Sequence, residues 1–276
     1  MPELPEVETV CRGVQNALLN SVIKQVILRR DTLRWPIPTK VLRRTLPGQT
    51  LISVNRRAKY LLLGFTSGNL IIHLGMSGVL KVMDGTPDAQ RHDHVDFIFD
   101  NIRTLRYHDP RRFGAILWTD EAIDSHKLIV SLGPEPLDNP TLGHHFVKMF
   151  TNRRVAIKNR IMDSHVVVGV GNIYASEILF RAGIHPEIPA GVLDESACHR
   201  LAEATQWVLK SAIAQGGTTL KDYRNSQGKP GYFQQELAVY KRDGQSCNQC
   251  GSTIVRTVMS NRATYFCPTC QTTTMP

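Results

Sequence analysis

The chain has 276 residues, 42% of them apolar, enough to bury a sizeable core and to divide into two domains. Lys plus Arg outnumber Asp plus Glu 33 to 24, a balance of +9 that suits a polyanion, nucleic acid above all, although a merely basic soluble protein carries the same charge. No apolar run approaches the ~20 residues of a membrane span. The acidic N-terminus lacks the basic-then-apolar pattern of a secretory signal, so a cytoplasmic protein without a membrane partner is expected.

The first residues, Met1-Pro2-Glu3-Leu4-Pro5-Glu6, already carry chemistry. Met1 precedes a small residue, and its removal is expected. Pro2 then presents a secondary amine with the Glu3 carboxyl beside it. An amine attacks an electrophilic carbon and collapses to an iminium, and a neighbouring acid moves protons. An α-amino group titrates near pH ~8 and a lysine near ~10.4, so the terminal amine is the better-populated nucleophile at neutral pH. The plainer alternative is that Pro2 and Pro5 only punctuate a helix start. Val7, Val10, Cys11, Val14 and Leu18 recur at helical spacing, which predicts a helix over about 5–19.

Short β-type runs follow at 22–28, 49–55, 60–65, 70–74, 79–83, 95–99, 104–107 and 115–118. Their number and regular turns predict two packed sheets. Polar and special residues interrupt them. Arg56-Arg57-Ala58-Lys59 is a basic cluster before an apolar run. Met76 lies between glycines in His73-Leu74-Gly75-Met76-Ser77-Gly78, and Arg111 and Phe113 lie in the turn 109–114. Met76 and Phe113 are either minor core residues or wedges that fill the gap left by an extruded base. His92, Asp93 and His94 suit a phosphate contact or strand pairing better than a metal.

Residues 132–137 read as a linker. Helices are expected at 142–150, 155–162 and 173–182, the last with Asn172 as N-cap and a stop at Gly183. Gly169-Val170-Gly171 is not a dinucleotide loop, because Tyr174 stands where a third glycine is needed. A glycine-rich turn opening a helix can instead cradle a phosphate. Asp194 caps a further helix that runs to Gly216-Gly217. The polar stretch 218–235 is either a functional loop or a connector.

Cys247 and Cys250, then Cys267 and Cys270, form two C-x-x-C pairs around residues 251–266. That spacing marks a closed four-thiolate zinc site, structural and not catalytic. Cys11 and Cys198 stand apart and suit buried thiols, cysteine usage of a reducing compartment. Arg256 and Arg262 lie on the hairpin between the pairs, where an arginine suits a phosphate.

The start MPELPEVE and the four-cysteine end, with RRAKYLLL, HLGMSG, HDHVDF, DPRRFG, LGPEPL, VVGVGNIYASE, AGIHP, QGGTTLKD, GKPGYF and CPTCQ between them, resemble the bacterial formamidopyrimidine-DNA glycosylases along the whole chain. The resemblance implies an α+β fold: a β-sandwich domain over 1–131, a helical helix–two-turn–helix domain over 132–236, and a zinc finger over 237–276. It implies removal of oxidised purines from double-stranded DNA, cleavage of abasic sites, one structural Zn2+ and a monomer. Pro2 would be the nucleophile and Glu3 the acid. Lys59 would assist base loss and β-elimination, and Arg262 the δ-elimination. Met76, Arg111 and Phe113 would fill the vacated space. His73, His92, Arg111, Arg154 and Asn172 would contact DNA, and the loop 217–240 would cover the extruded base. Two rivals remain open: the endonuclease VIII type acting on oxidised pyrimidines, and a non-catalytic zinc-stapled DNA-binding protein. Leu4 and Pro5 speak against the first, and intact Pro2, Glu3 and Lys59 against the second.

Overall fold

Pro5 and the apolar stripe build helix α1 (Leu4–Leu18), where the spacing predicts it. The computed structural model describes residues 2–216 and 237–272. They form two compact units, one chiefly of residues 2–130 and the other of 131–215 and 237–272. In the first, α1 is followed by β1 (Ile23–Leu28), helix α2 (Thr39–Thr45), and β2 (Leu51–Arg57), β3 (Tyr60–Phe65) and β4 (Gly68–His73). Then come β5 (Val79–Asp84), β6 (Asp93–Phe99), β7 (Arg103–His108) and β8 (Ala115–Thr119).

The strands form two antiparallel sheets, ordered β1-β6-β7-β5 and β2-β3-β4-β8. Leu61, Leu63, Leu70 and Ile72 of one sheet and Phe97, Leu105 and Tyr107 of the other meet in a single core. Val7, Val10, Val14 and Leu18 of α1 belong to the same core. Each buried side chain of this size contributes about 1.5–3 kcal/mol by leaving water, which is why α1 is held firmly to the sheets.

Helix α2 was not foreseen in the pattern. It has seven residues and buries only Leu42, too short a run for a helical period to register.

The second unit holds α3 (Leu142–Phe150), α4 (Ile157–Ile161), α5 (Asn172–Ala182), α6 (Glu195–Ala214), and a hairpin of β9 (Val255–Met259) and β10 (Arg262–Phe266). Two boundaries differ from expectation. Helix α4 starts later than residue 155, because Ala156 is extended in a bridge to Pro189. Gly171, not Asn172, is the N-cap of α5, and Asn172 is its first helical residue. The remaining caps agree: Gly183 ends α5 in the left-handed region at φ 69°, and the Asp194 side chain accepts from Ala197 N at 2.7 Å. The expected loop 218–235 lies outside the described residues. Cys11 and Cys198 are buried, and burial pushes both thiols up to about 11.

Candidate functional site

Pro2 and Glu3 are buried immediately before α1. Glu3 is the N-cap residue, and its backbone N–H donates to Glu6 Oε2 at 2.8 Å, one arm of a capping box. The residue ahead of the cap is thus attached to a rigid helix start. One turn on, Glu8 accepts from Arg56 Nε at 2.8 Å. Burial pushes the Glu8 carboxyl up, but hydrogen bonds from Arg56 and Arg12 outweigh it and hold it below its usual range. Arg56 also donates to Ala58 O at 2.9 Å. Ala58, at φ 54°, and Lys59 form the two-residue turn between the paired residues Arg57 and Tyr60. One arginine therefore ties the turn that bears Lys59 to the helix that begins after Glu3.

Sheet register gathers the other candidates of this unit at one end of the sandwich. Tyr60 pairs with His73 and His73 with Ala115 in one sheet. Val79 pairs with His108 and His108 with Asp93 in the other. Lys59, His73, Met76, His92, Arg111 and Phe113 all lie on, or next to, these strand ends. His73 Nδ1 accepts from Gly75 N at 3.0 Å. Burial first, then the Lys59 and Arg34 cations, push the imidazole down to about 4, so it is neutral at physiological pH.

The loops 74–78 and 109–114 lock together. Buried Asp109 accepts from Ser77 Oγ at 2.6 Å and from Gly114 N at 2.9 Å, and Ser77 Oγ accepts from Arg111 N at 3.1 Å. Gly75 lies so close that an added Cβ would sit 2.4 Å from the Phe113 carbonyl carbon, and at Gly114 it would sit 1.6 Å from Tyr107 Oη. Against this rigid base Met76 and Phe113 are 41% and 46% exposed, too exposed for minor core residues. The Arg111 guanidinium stands 4.9 Å from the Phe113 ring centre. Asp93 accepts from Arg106 at 3.2 Å and from His108 at 2.8 Å, while His94 donates to Asp109 O at 2.8 Å.

In the second unit, buried Lys158 donates to Asn172 Oδ1 at 2.6 Å and to Thr264 Oγ1 at 2.7 Å. Asn172 Nδ2 donates to Ala263 O at 2.9 Å. These bonds fasten α4 and α5 to β10, whose first residue is exposed Arg262. Ser260 and Asn261, at φ 46° and 59°, make the tight turn before it. Arg154 is exposed just ahead of α4. Buried Glu177 accepts from Ala238, Val239 and Tyr240 N–H at 2.8, 3.0 and 2.9 Å. Burial pushes its carboxyl up, and those three donors pull against it. Sequence reasoning missed Glu8, Arg56, Asp109, Lys158 and Glu177 as supports. A charged residue inside an apolar stretch was the available signal for Lys158 and Glu177.

The four cysteine Sγ atoms lie within 4.8 Å of one another. Cys247 and Cys270 are 3.9 Å apart, and Cys250 and Cys267 are 3.4 Å apart. Zinc bonds of about 2.3 Å in a tetrahedron need sulfurs about 3.8 Å apart, so the set fits the ion. Gln249 N and Cys270 N each donate to a cysteine sulfur at 3.4 Å, partners that steady thiolate ligands. The site holds one structural Zn2+, with all four positions taken by protein.

Two packed sheets behind an N-terminal helix, a helix–two-turn–helix domain and a four-cysteine finger define a class of DNA-repair glycosylase. Residues 1–116 match the formamidopyrimidine-DNA glycosylase N-terminal domain, 132–224 its H2TH domain, and 244–273 the zinc finger found in FPG and IleRS. The formamidopyrimidine-DNA glycosylase of Methylococcus capsulatus is 51% identical over 98% of this chain and 100% of its own length. That of Thioalkalivibrio sulfidiphilus is 52% identical with the same coverage. The crystal structure of MutM (Fpg) from Thermus thermophilus aligns with a TM-score of 0.86 at 38% identity, covering 98% of each chain. A Lactococcus lactis FPG mutant bound to a Fapy-dG containing DNA aligns at 0.87 and 33%, covering 98% of this chain and 99% of that one. The chain belongs to the formamidopyrimidine-DNA glycosylase family. It is a base-excision-repair DNA glycosylase, and lyase action at abasic sites is a general property of the family.

Proposed function

We propose that the enzyme removes oxidised purines, 8-oxoguanine and formamidopyrimidines, from double-stranded DNA and then cleaves the strand by β,δ-elimination. The observation that carries this reading is the placement of Pro2 and buried Glu3 at a capped helix start strapped through Glu8 and Arg56 to the Lys59 turn. The Lactococcus relatives bound to Fapy-dG DNA and to abasic-site DNA support the substrate class.

The Pro2 nitrogen lone pair attacks the sugar C1′ as the damaged base leaves with its bonding electrons and takes up a proton. Glu3 gives a proton to the ring oxygen, the sugar opens, and the nitrogen and C1′ become an iminium. The iminium acidifies the C2′ proton. Its loss expels the 3′-phosphate with assistance from Lys59, a second elimination expels the 5′-phosphate with assistance from Arg262, and water releases the enzyme. A stacked base must first leave the duplex, at a cost of a few kcal/mol. Met76, Arg111 and Phe113 fill its place, while His73, His92, Arg111, Arg154 and Asn172 hold the backbone or the orphan strand. The working divisions are 1–131, 132–236 and 237–276. The enzyme acts as a monomer in the bacterial cytoplasm.

Borohydride trapping tests the assignment. Wild-type protein is expected to cross-link to an 8-oxoguanine duplex, with N-terminal mass spectrometry finding Pro2 first. Pro2→Gly should lose most of that cross-link while still binding the duplex. Equal trapping by both proteins, or full activity with Met1 retained, overturns the nucleophile. One Lactococcus structure holds an oxidised pyrimidine containing DNA, so paired purine and pyrimidine substrates belong in the same assay.

A further inference from the structure

Among the described residues, one more group of metal-ligating side chains stands outside the four cysteines: His144 of α3 with Glu195 and His199 of α6. Glu195 and His199 are four residues apart, so α-helical geometry puts them on one face. Their ligand atoms and those of His144 all lie within 4.8 Å of one another. The two imidazole rings meet edge to face with centres 4.7 Å apart. His199 Nε2 and Glu195 Oε1 are 3.8 Å apart, too far for a direct hydrogen bond and close to the spacing of two ligands on one ion. A tetrahedral ion with bonds of about 2.0–2.1 Å needs its ligand atoms about 3.4 Å apart, so His144 and Glu195, both exposed, have only to close slightly.

The backbone of α3 makes room for this arrangement. Residue 143 is glycine, and a Cβ there would lie 2.3 Å from His199 Nδ1. The His199 ring therefore rests on bare backbone with its Nε2 edge on the Glu195 side. Asp194 takes no part, because its carboxylate caps α6. Two imidazoles and one carboxylate are a borderline ligand set that suits Zn2+, Ni2+ or Cu2+ over Mg2+ or Ca2+.

We propose that His144, Glu195 and His199 bind a second divalent transition-metal ion, Zn2+ first among them, through two imidazole nitrogens and one carboxylate oxygen. Water fills the remaining positions. The ion would cross-brace α3 and α6, two helices that carry none of the finger cysteines.

The test uses the full-length protein with its finger already loaded with zinc. Isothermal titration with Zn2+ should show one further equivalent per chain. His144→Ala with His199→Ala should abolish it, and Glu195→Gln should weaken it tenfold or more. A parallel Co2+ titration should give a weak d–d spectrum without the intense near-ultraviolet thiolate-to-cobalt band, which would report exchange into the finger. Because His144 and Glu195 are exposed, His144→Ala and Glu195→Gln are expected to melt with the wild type when no metal is added. Absence of a further equivalent in wild type, or its persistence in the double variant, overturns the proposal.

Discussion

His73 shows how one side chain reports on its surroundings. Its folded-state value of about 4 lies below the ~6.5 of an unfolded histidine. Between those values the unfolded chain takes up a proton that the folded chain refuses. The folded state is therefore at its full stability above pH ~6.5 and loses it progressively as the pH falls toward 4. Urea midpoints at successive pH values should fall across that window, and His73→Gln should flatten the slope. At this scale the sequence was most readable where chemistry is local. The paired cysteines declare themselves by type and spacing. Asp109 does not, because it acts on Ser77 and Gly114 across two loops whose meeting depends on sheet register.

Whole elements are placed by buried polar groups as well as by their apolar stripes. Glu177 sits on α5 with three backbone N–H groups of residues 238–240 aimed at one carboxylate. Glu177→Ala leaves those donors without an acceptor and should cost about 2 kcal/mol or more in urea unfolding. Glu177→Gln, which keeps one acceptor oxygen, should lose less. A result in which both variants melt with the wild type would mean that water replaces the carboxylate. The eight strands, α1 and α3 were legible because their apolar periods are long or strictly repeated. Helix α2 was not, since one buried leucine makes no period, and Asn172 was misassigned as a cap because its partners, Lys158 and Ala263, are distant in sequence.

For the whole molecule, the surplus of 33 cationic over 24 anionic residues predicts a steep salt dependence of duplex binding. Each phosphate neutralised contributes about 0.9 to the slope of log affinity against log salt. Arg154→Ala should lower that slope by about one phosphate's worth and weaken damaged and undamaged duplex alike, as read by fluorescence anisotropy. A lesion-selective loss would instead give Arg154 a role at the base. The overall architecture could be read early because the motifs span the entire chain. The supports between motifs could not, because each joins residues that only folding makes neighbours. Cys11 and Cys198, held near 11 by burial, carry almost no thiolate at neutral pH. Electrophiles and peroxides that seek sulfur will therefore bypass both units' interiors, and loss of the protein under oxidative attack should begin with ejection of its zinc.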